Sequence, residues 1–256
     1  MVYKMLIAVD SGHGMETPGK RTPPLKEDII LNGITLAKKG TQIHEKTWNR
    51  AVADKLMEAL VRCGFDVLDV APGLTDIPLA ERYEKANKAK ASAFISKHYN
   101  AIGETKWWTP GYSVAFISQY ASSATKLLAA SIQKLCALAS GFPNDGVQKD
   151  IDYLGYNVAV LRHTNMPAVL TETGFMDVWE QAKLMVNPEF IRADADATCK
   201  GICNYFGVDY VPEQPVKKKI YSVQIGAYED YTYARQALDA AIEKGYTDAY
   251  ITTKEI

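Results

Sequence analysis

No run of apolar residues in this 256-residue chain is long enough to span a bilayer, which excludes a helical membrane protein. Charge of one sign is not in excess either. Twenty-nine basic and 30 acidic residues leave a net charge of −1, without the basic face that a nucleic-acid partner demands. Cysteine is scarce. Cys63, Cys136, Cys199 and Cys203 form no disulfide framework, as expected of a chain made in a reducing cytosol. Cys199 and Cys203 lie four apart on an expected helix, a spacing that suits a metal. No second Cys or His pair follows nearby, so all four read as structural thiols. The N-terminus lacks a signal-peptide pattern and enters a strand directly over residues 2–10. The expectation is synthesis in the cytoplasm. Any target beyond the membrane would then be reached through a lysis event or by a non-classical export route.

What is present is a regular alternation of two periods. Residues 5–9 read as a buried strand. A helix follows over residues 45–63, with Trp48, Val52, Leu56, Ala59 and Leu60 on one stripe, and Gly64 stops it. Strands are expected at 65–70, 93–96, 112–118, 168–171 and, shorter, at 156–161. Helices are expected after Thr75–Asp76–Ile77–Pro78, from Ser122 to about Gly141, and up to Phe206. This order predicts a three-layer α/β domain over residues 1–209, its twisted sheet mostly parallel or mixed, with helices on both faces. Residues 210–219, with two prolines and a lysine run, read as a linker. Residues 220–256 then read as a small β-α-β unit: a strand at 220–228, a helix lined by Ala234, Leu238, Ala241 and Ile242, and a strand at 249–252.

Few histidines are available for chemistry, and two of the four fall at strand ends. His13 follows the first strand within Asp10–Ser11–Gly12–His13–Gly14, where flanking glycines allow a sharp turn. His98 follows a strand within Ser96–Lys97–His98–Tyr99–Asn100–Ala101. Glu172 ends the apolar run of Pro167–Phe175. Open α/β sheets gather ligand sites at the carboxyl ends of their strands, so these three point to one rim, and Glu45 at a helix start can join them. Two imidazoles and one carboxylate are a standard catalytic zinc set with one position left for water. A further carboxylate can shuttle protons, a task that suits Glu172.

These segments, together with Asn49 and with Arg82 followed by Ala86–Asn87, resemble in order the zinc-dependent N-acetylmuramoyl-L-alanine amidases of bacterial autolysins and phage endolysins, over residues 3 to about 206. The resemblance implies His13, Glu45 and His98 as ligands of one Zn2+ and Glu172 as the catalytic glutamate. The interval from His13 to Glu45 is long and holds the insertion Gly19–Pro24, a candidate border of the substrate groove. It leaves Glu27 and His44 as competitors for Glu45. Met15 also stands where the family often has a second glycine. Candidate substrate contacts are Asn100, Arg82, Trp107, Trp108 and His163, each with a structural alternative.

Residues 221–228 resemble the opening of a SPOR domain, a peptidoglycan-glycan binding module, but the segment from residue 219 onward is only about half such a domain. A unit that small buries too little to stand alone, so pairing between two copies of the chain is expected. The implied activity is hydrolysis of the amide between N-acetylmuramic acid and L-alanine of peptidoglycan, by an endolysin of phage or prophage. The alternatives are another zinc peptidase or deacetylase on a similar fold, and a non-catalytic wall-binding protein.

Overall fold

The computed structural model describes residues 4–103, 105–214, 226–247 and 249–253. Its elements run β1 (Leu6–Ser11), β2 (Ile29–Leu31), β3 (Ile34–Ala37), α1 (Glu45–Arg62), β4 (Asp66–Asp69), α2 (Leu79–Lys88), β5 (Ala93–Asn100), β6 (Ser113–Ile117), α3 (Ser123–Ser140), β7 (Asn144–Lys149), α4 (Asp150–Leu154), α5 (Ala159–Arg162), β8 (Ala168–Phe175), α6 (Trp179–Ala182), a 3-10 turn (Lys183–Val186), α7 (Pro188–Phe206) and α8 (Tyr231–Glu243). Two compact units divide the chain, Met1–Glu213 and Gln214–Ile256.

The first unit is built on a six-stranded sheet ordered β4-β1-β5-β8-β6-β7. β4, β1, β5 and β8 are mutually parallel. β6 pairs antiparallel with β8 and parallel with β7, so the sheet is mixed. Its central strands are buried on both faces, as their continuous apolar runs require. On one face lie α1, α3 and α7. The expected stripe of α1 is fully enclosed there, each large side chain stabilising the fold by roughly 1.5–3 kcal/mol. A smaller apolar cluster covers the other face, where Ala8, Phe94, Phe116 and Leu170 pack with Ala86, Val160 and Leu161.

Local chemistry sets the helix ends. The Ser122 hydroxyl accepts from Thr125 N at the start of α3, and left-handed Gly141 ends it. Asn187 caps α7, Pro188 fills its first position, and Gly207 closes it.

Several expectations need correction. Residues 156–161 are not a strand. Asp150 accepts from Val158 N, and Val160 and Leu161 turn into the one-turn α5 to reach the smaller core. The hairpin β2–β3, with strands of three and four residues, and the polar strand β7 escape notice in the sequence. Pro78 stands before α2 without a side-chain cap, because Asp76 is bonded to Arg82 instead. The start of the expected linker is docked on the first unit: Val211 N donates to Cys63 Sγ, and Glu213 pairs with Arg192.

In the second unit, α8 is capped by Asp230 and buries Ala241. Residues 249–252 carry no strand. Of the expected strand at 220–228, residues 220–225 lie outside the described residues and 226–228 are not a strand. No described helix is long and apolar enough to cross a membrane.

Candidate metal centre

Three parallel strands deliver the site to one end of the sheet. β1 leads into His13, β5 carries His98, and β8 carries Glu172 directly opposite His98 in register. Glu45 opens α1, where the carbonyl of Lys20, from the insertion, accepts its backbone N–H. The insertion thus positions the helix start.

The turn at His13 works differently from the sequence expectation. The left-handed residue is His13 itself, with φ 60°, a region costly for a side chain with a Cβ. The glycines serve close approach. A Cβ on Gly12 would lie 2.0–2.5 Å from three ring atoms of His98, and one on Gly14 would lie 2.2 Å from Asp76 N. Gly12 therefore gives the His98 ring a flat backbone to lie on, and Gly14 lets the loop close against the start of α2.

Arg82 locks this loop. Its guanidinium is buried and pairs with Asp10 at 2.9 Å and Asp76 at 2.5 Å. It also donates to the carbonyls of Ile77, Ser11 and His13. Ser96 Oγ donates to the second oxygen of Asp10. Lys46 and Arg50 add further donors to Ser11 and to the Ala71 carbonyl. Arg82 is thus a positioning residue, with no face left for substrate.

Around the loop, donors converge. His13 Nε2 lies 3.3 Å from Glu45 Oε2, and His98 Nδ1 lies 3.0 Å from Glu45 Oε1. The imidazoles meet edge to face at 4.7 Å. One ligand atom from each of the three residues falls within 4.8 Å of the others. Asn49 Nδ2 and Tyr99 N both donate to Glu45 Oε1, and Asn49 also holds the Gly12 carbonyl, so the carboxylate is aimed by its surroundings. Glu27 is exposed, and His44 serves as the residue before α1. Neither joins the cluster, and Glu45 does.

The electrostatics fit a cation. Burial pushes the His13 pKa down to about 3, against the pull of Glu45, so the ring is neutral as a ligand must be. Burial opposes the charge on Glu45, but the hydrogen bond with His98 and the two imidazoles outweigh it and hold the carboxylate ionised. Burial raises Glu172 to about 8; His98 lowers it and Glu45 raises it further. Glu172 Oε2 is shut away from solvent with no hydrogen-bond partner. An unpartnered carboxyl oxygen beside the His98 imidazole and the Glu45 carboxylate is costly unless something is bound among them.

The other expected contacts divide. Asn100, at the end of β5, accepts from Ala101 N through Oδ1, leaving its Nδ2 for a ligand. Beyond it, Asp177 accepts from the amides of Ile102 and Gly103, and its carbonyl accepts from Trp108 N. This ties the tryptophan segment to the continuation of β8. Trp107 and the half-exposed Trp108 line a cleft of about 410 Å3 with Lys26, Thr109, Val178, Trp179 and Glu180. Trp107 meets Trp179 edge to face at 5.1 Å, and Lys26 Nζ stands over both rings. Lys26 and Trp179 were not expected from sequence; a third tryptophan seven residues past Glu172 was the available signal. His163 does not line this end. It is exposed, stacks on Tyr83, and offers its carbonyl to Asn87 at the far end of α2, beside the starts of β5 and β8.

The family model described as N-acetylmuramoyl-L-alanine amidase matches residues 7–204. The endolysin of Bacillus phage SPP1 is 31% identical over 202 residues, 77% of this chain and 64% of that protein. This chain thus spans slightly less than two thirds of that relative's length. The sporulation-specific N-acetylmuramoyl-L-alanine amidase of Bacillus subtilis is 25% identical over 249 residues, 97% of this chain and 85% of that protein. Among solved structures, an N-acetylmuramoyl-L-alanine amidase from Clostridium difficile 630 superposes with a TM-score of 0.67 at 23% identity, covering 80% of this chain and 97% of that one.

Proposed function

Because the chain belongs to the N-acetylmuramoyl-L-alanine amidase family, we propose that it hydrolyses the amide joining N-acetylmuramic acid to the first L-alanine of the peptidoglycan stem peptide. The observation that carries this reading is the meeting of His13, Glu45 and His98 around one point, with the unpartnered oxygen of Glu172 on the neighbouring strand. In this reading His13, Glu45 and His98 hold one Zn2+. Zinc bound there supplies Lewis acidity and a water that ionises near neutral pH.

The chain's own residues do the rest. Glu172 takes a proton from the attacking water and passes it to the departing alanine nitrogen. To act as base it must first be ionised, and the positive charge of a filled site favours that form over the protonated one that burial enforces. Asn49 and the Tyr99 amide keep Glu45 from rotating away. Asn100 presents its Nδ2 to a substrate oxygen. The cleft formed by Trp107, Trp108 and Trp179 receives a sugar ring or the stem peptide on its aromatic faces.

The similarity to a phage endolysin supports a role in lysis by phage or prophage. On the resemblance of residues 221–228, the second unit is a wall-binding segment that pairs with its copy in a homodimer. Product analysis on purified cell walls tests the central reading. New L-alanine amino groups on stem peptides, without released single amino acids or acetate, are expected; free amino acids or acetate would point to a peptidase or deacetylase instead.

A further inference from the structure

Away from the catalytic end, the fold assembles a second set of metal-ligating side chains. Cys63 follows the last turn of α1, while Cys199 and Cys203 stand one turn apart on α7. Sequence spacing hides this trio, because 136 residues separate Cys63 from Cys199. The packing of α1 on α7 brings all three together. Cys199 Sγ lies 3.7 Å from Cys63 Sγ, and the three sulfur atoms fall within 4.8 Å of one another. All three are buried.

Metal–thiolate bonds of about 2.3 Å in a tetrahedral site set neighbouring sulfurs about 3.8 Å apart. The Cys63–Cys199 separation already meets that figure, and the third sulfur lies within 4.8 Å of both. Burial holds Cys63 as a thiol in the metal-free chain, so a metal is needed to draw off its proton, and one backbone contact is already in place for the charged sulfur. Val211 N donates to Cys63 Sγ at 3.2 Å, the kind of amide contact that supports a metal-bound sulfur. The Val211 carbonyl, 3.9 Å from the same sulfur, offers a fourth donor, and Arg62 fixes it through Nε at 3.2 Å. The fourth cysteine, Cys136, is not in this group and bonds Thr198.

We propose that Cys63, Cys199 and Cys203 form a second metal site, selective for a thiophilic d10 cation of the zinc class. On binding, each thiol gives its proton to solvent as its sulfur bonds the metal, so no oxidant or reductant is required. Glu45 and Cys63 stand at opposite ends of α1, whose 18 residues at 1.5 Å each span roughly 27 Å, so the two centres are independent. Such a cation would clamp α1, α7 and the segment leaving the first unit.

The test uses the reduced full chain with Cd2+ alone as probe, alongside zinc analysis. Two equivalents of zinc per chain are expected, and Cd2+ should produce the ultraviolet charge-transfer band of sulfur ligation. Cys199→Ser should lose that band and one equivalent while keeping wall lysis. His98→Ala should lose the other equivalent and keep the band. Should Cys199→Ser fail to fold, the wild-type chain still decides: one equivalent of zinc and no sulfur band with Cd2+ overturn the proposal.

Discussion

His98 and Glu172 face each other in register across β5 and β8, two parallel strands whose segments lie 74 residues apart, so the metal-ligand candidate and the proton-shuttle candidate are fixed by one stretch of backbone hydrogen bonds. Catalytic geometry here is a property of the sheet. Its tolerance to change is therefore that of the sheet, and the predictions below follow from it.

Glu172→Gln keeps the size and removes the base. Lysis of purified walls should fall by roughly 10²- to 10⁴-fold, the usual contribution of general acid–base catalysis, with metal content unchanged. Retained activity would remove Glu172 from the mechanism.

Dialysis against EDTA should abolish lysis, and added zinc should restore it. Asn49→Ala should weaken metal affinity by about 10- to 100-fold, because Glu45 loses one of the two donors that aim it. Competition with a chromogenic chelator reads this directly, and an unchanged affinity would count against Glu45 as a ligand.

Gly12→Ala is a one-carbon change with a large expected effect. The new Cβ falls on the His98 ring, which must turn away or push the strands apart. Destabilisation on the order of 1–3 kcal/mol and loss of metal binding are expected. Calorimetry with metal analysis checks both, and a metal-replete, fully stable variant would show that the ring has room.

The metal-free protein should show a distinctive pH dependence at Glu172. Its folded pKa of about 8 lies above the ordinary 4.5, so between those values the folded state holds a proton that the unfolded state has lost. Stability from this group is full below about pH 4.5 and falls as pH rises towards 8. His13, lowered to about 3 from 6.5, acts oppositely between those values, but it is common to wild type and Glu172→Gln and cancels in their difference. The metal-free Gln variant should thus gain on wild type across pH 4.5–8, by at most a few kcal/mol. Denaturant titration of the two proteins measures it, and a flat difference would rule out a desolvated carboxyl.

Trp108→Ala should raise the apparent KM roughly 2- to 10-fold with kcat little changed, the worth of one aromatic contact made equally in ground and transition states. A selective loss of kcat would instead place the tryptophan at the reacting bond.

Much of this was legible in the residues. The placement of His13 just past β1 follows from an apolar run that stops at a glycine-bearing segment, whereas β5 and β8 run on past His98 and Glu172 to Asn100 and Phe175, so those two lie within their strands, in the half towards the carboxyl end. Other features were not. β7 reads Asn-Asp-Gly-Val-Gln-Lys, a pattern that betrays no strand, and it is held by its pairing with β6. The function of Gly12 is invisible until His98 is seen against it. The sequence left Arg82 open between a substrate contact and a structural role. Its guanidinium is taken up by Asp10 and Asp76 of the chain itself, the structural role. Cys63 could not be linked to Cys199 and Cys203 because long-range helix packing leaves no local signature.

The many contacts of Arg82 have a bearing on how the proposed metal site would be filled. Since that guanidinium braces the His13 turn from inside the protein, assembly of the cradle need not wait for a cation. On the proposed reading the polypeptide would mature empty and be charged later, and removal of the ion would stop lysis without unravelling the fold.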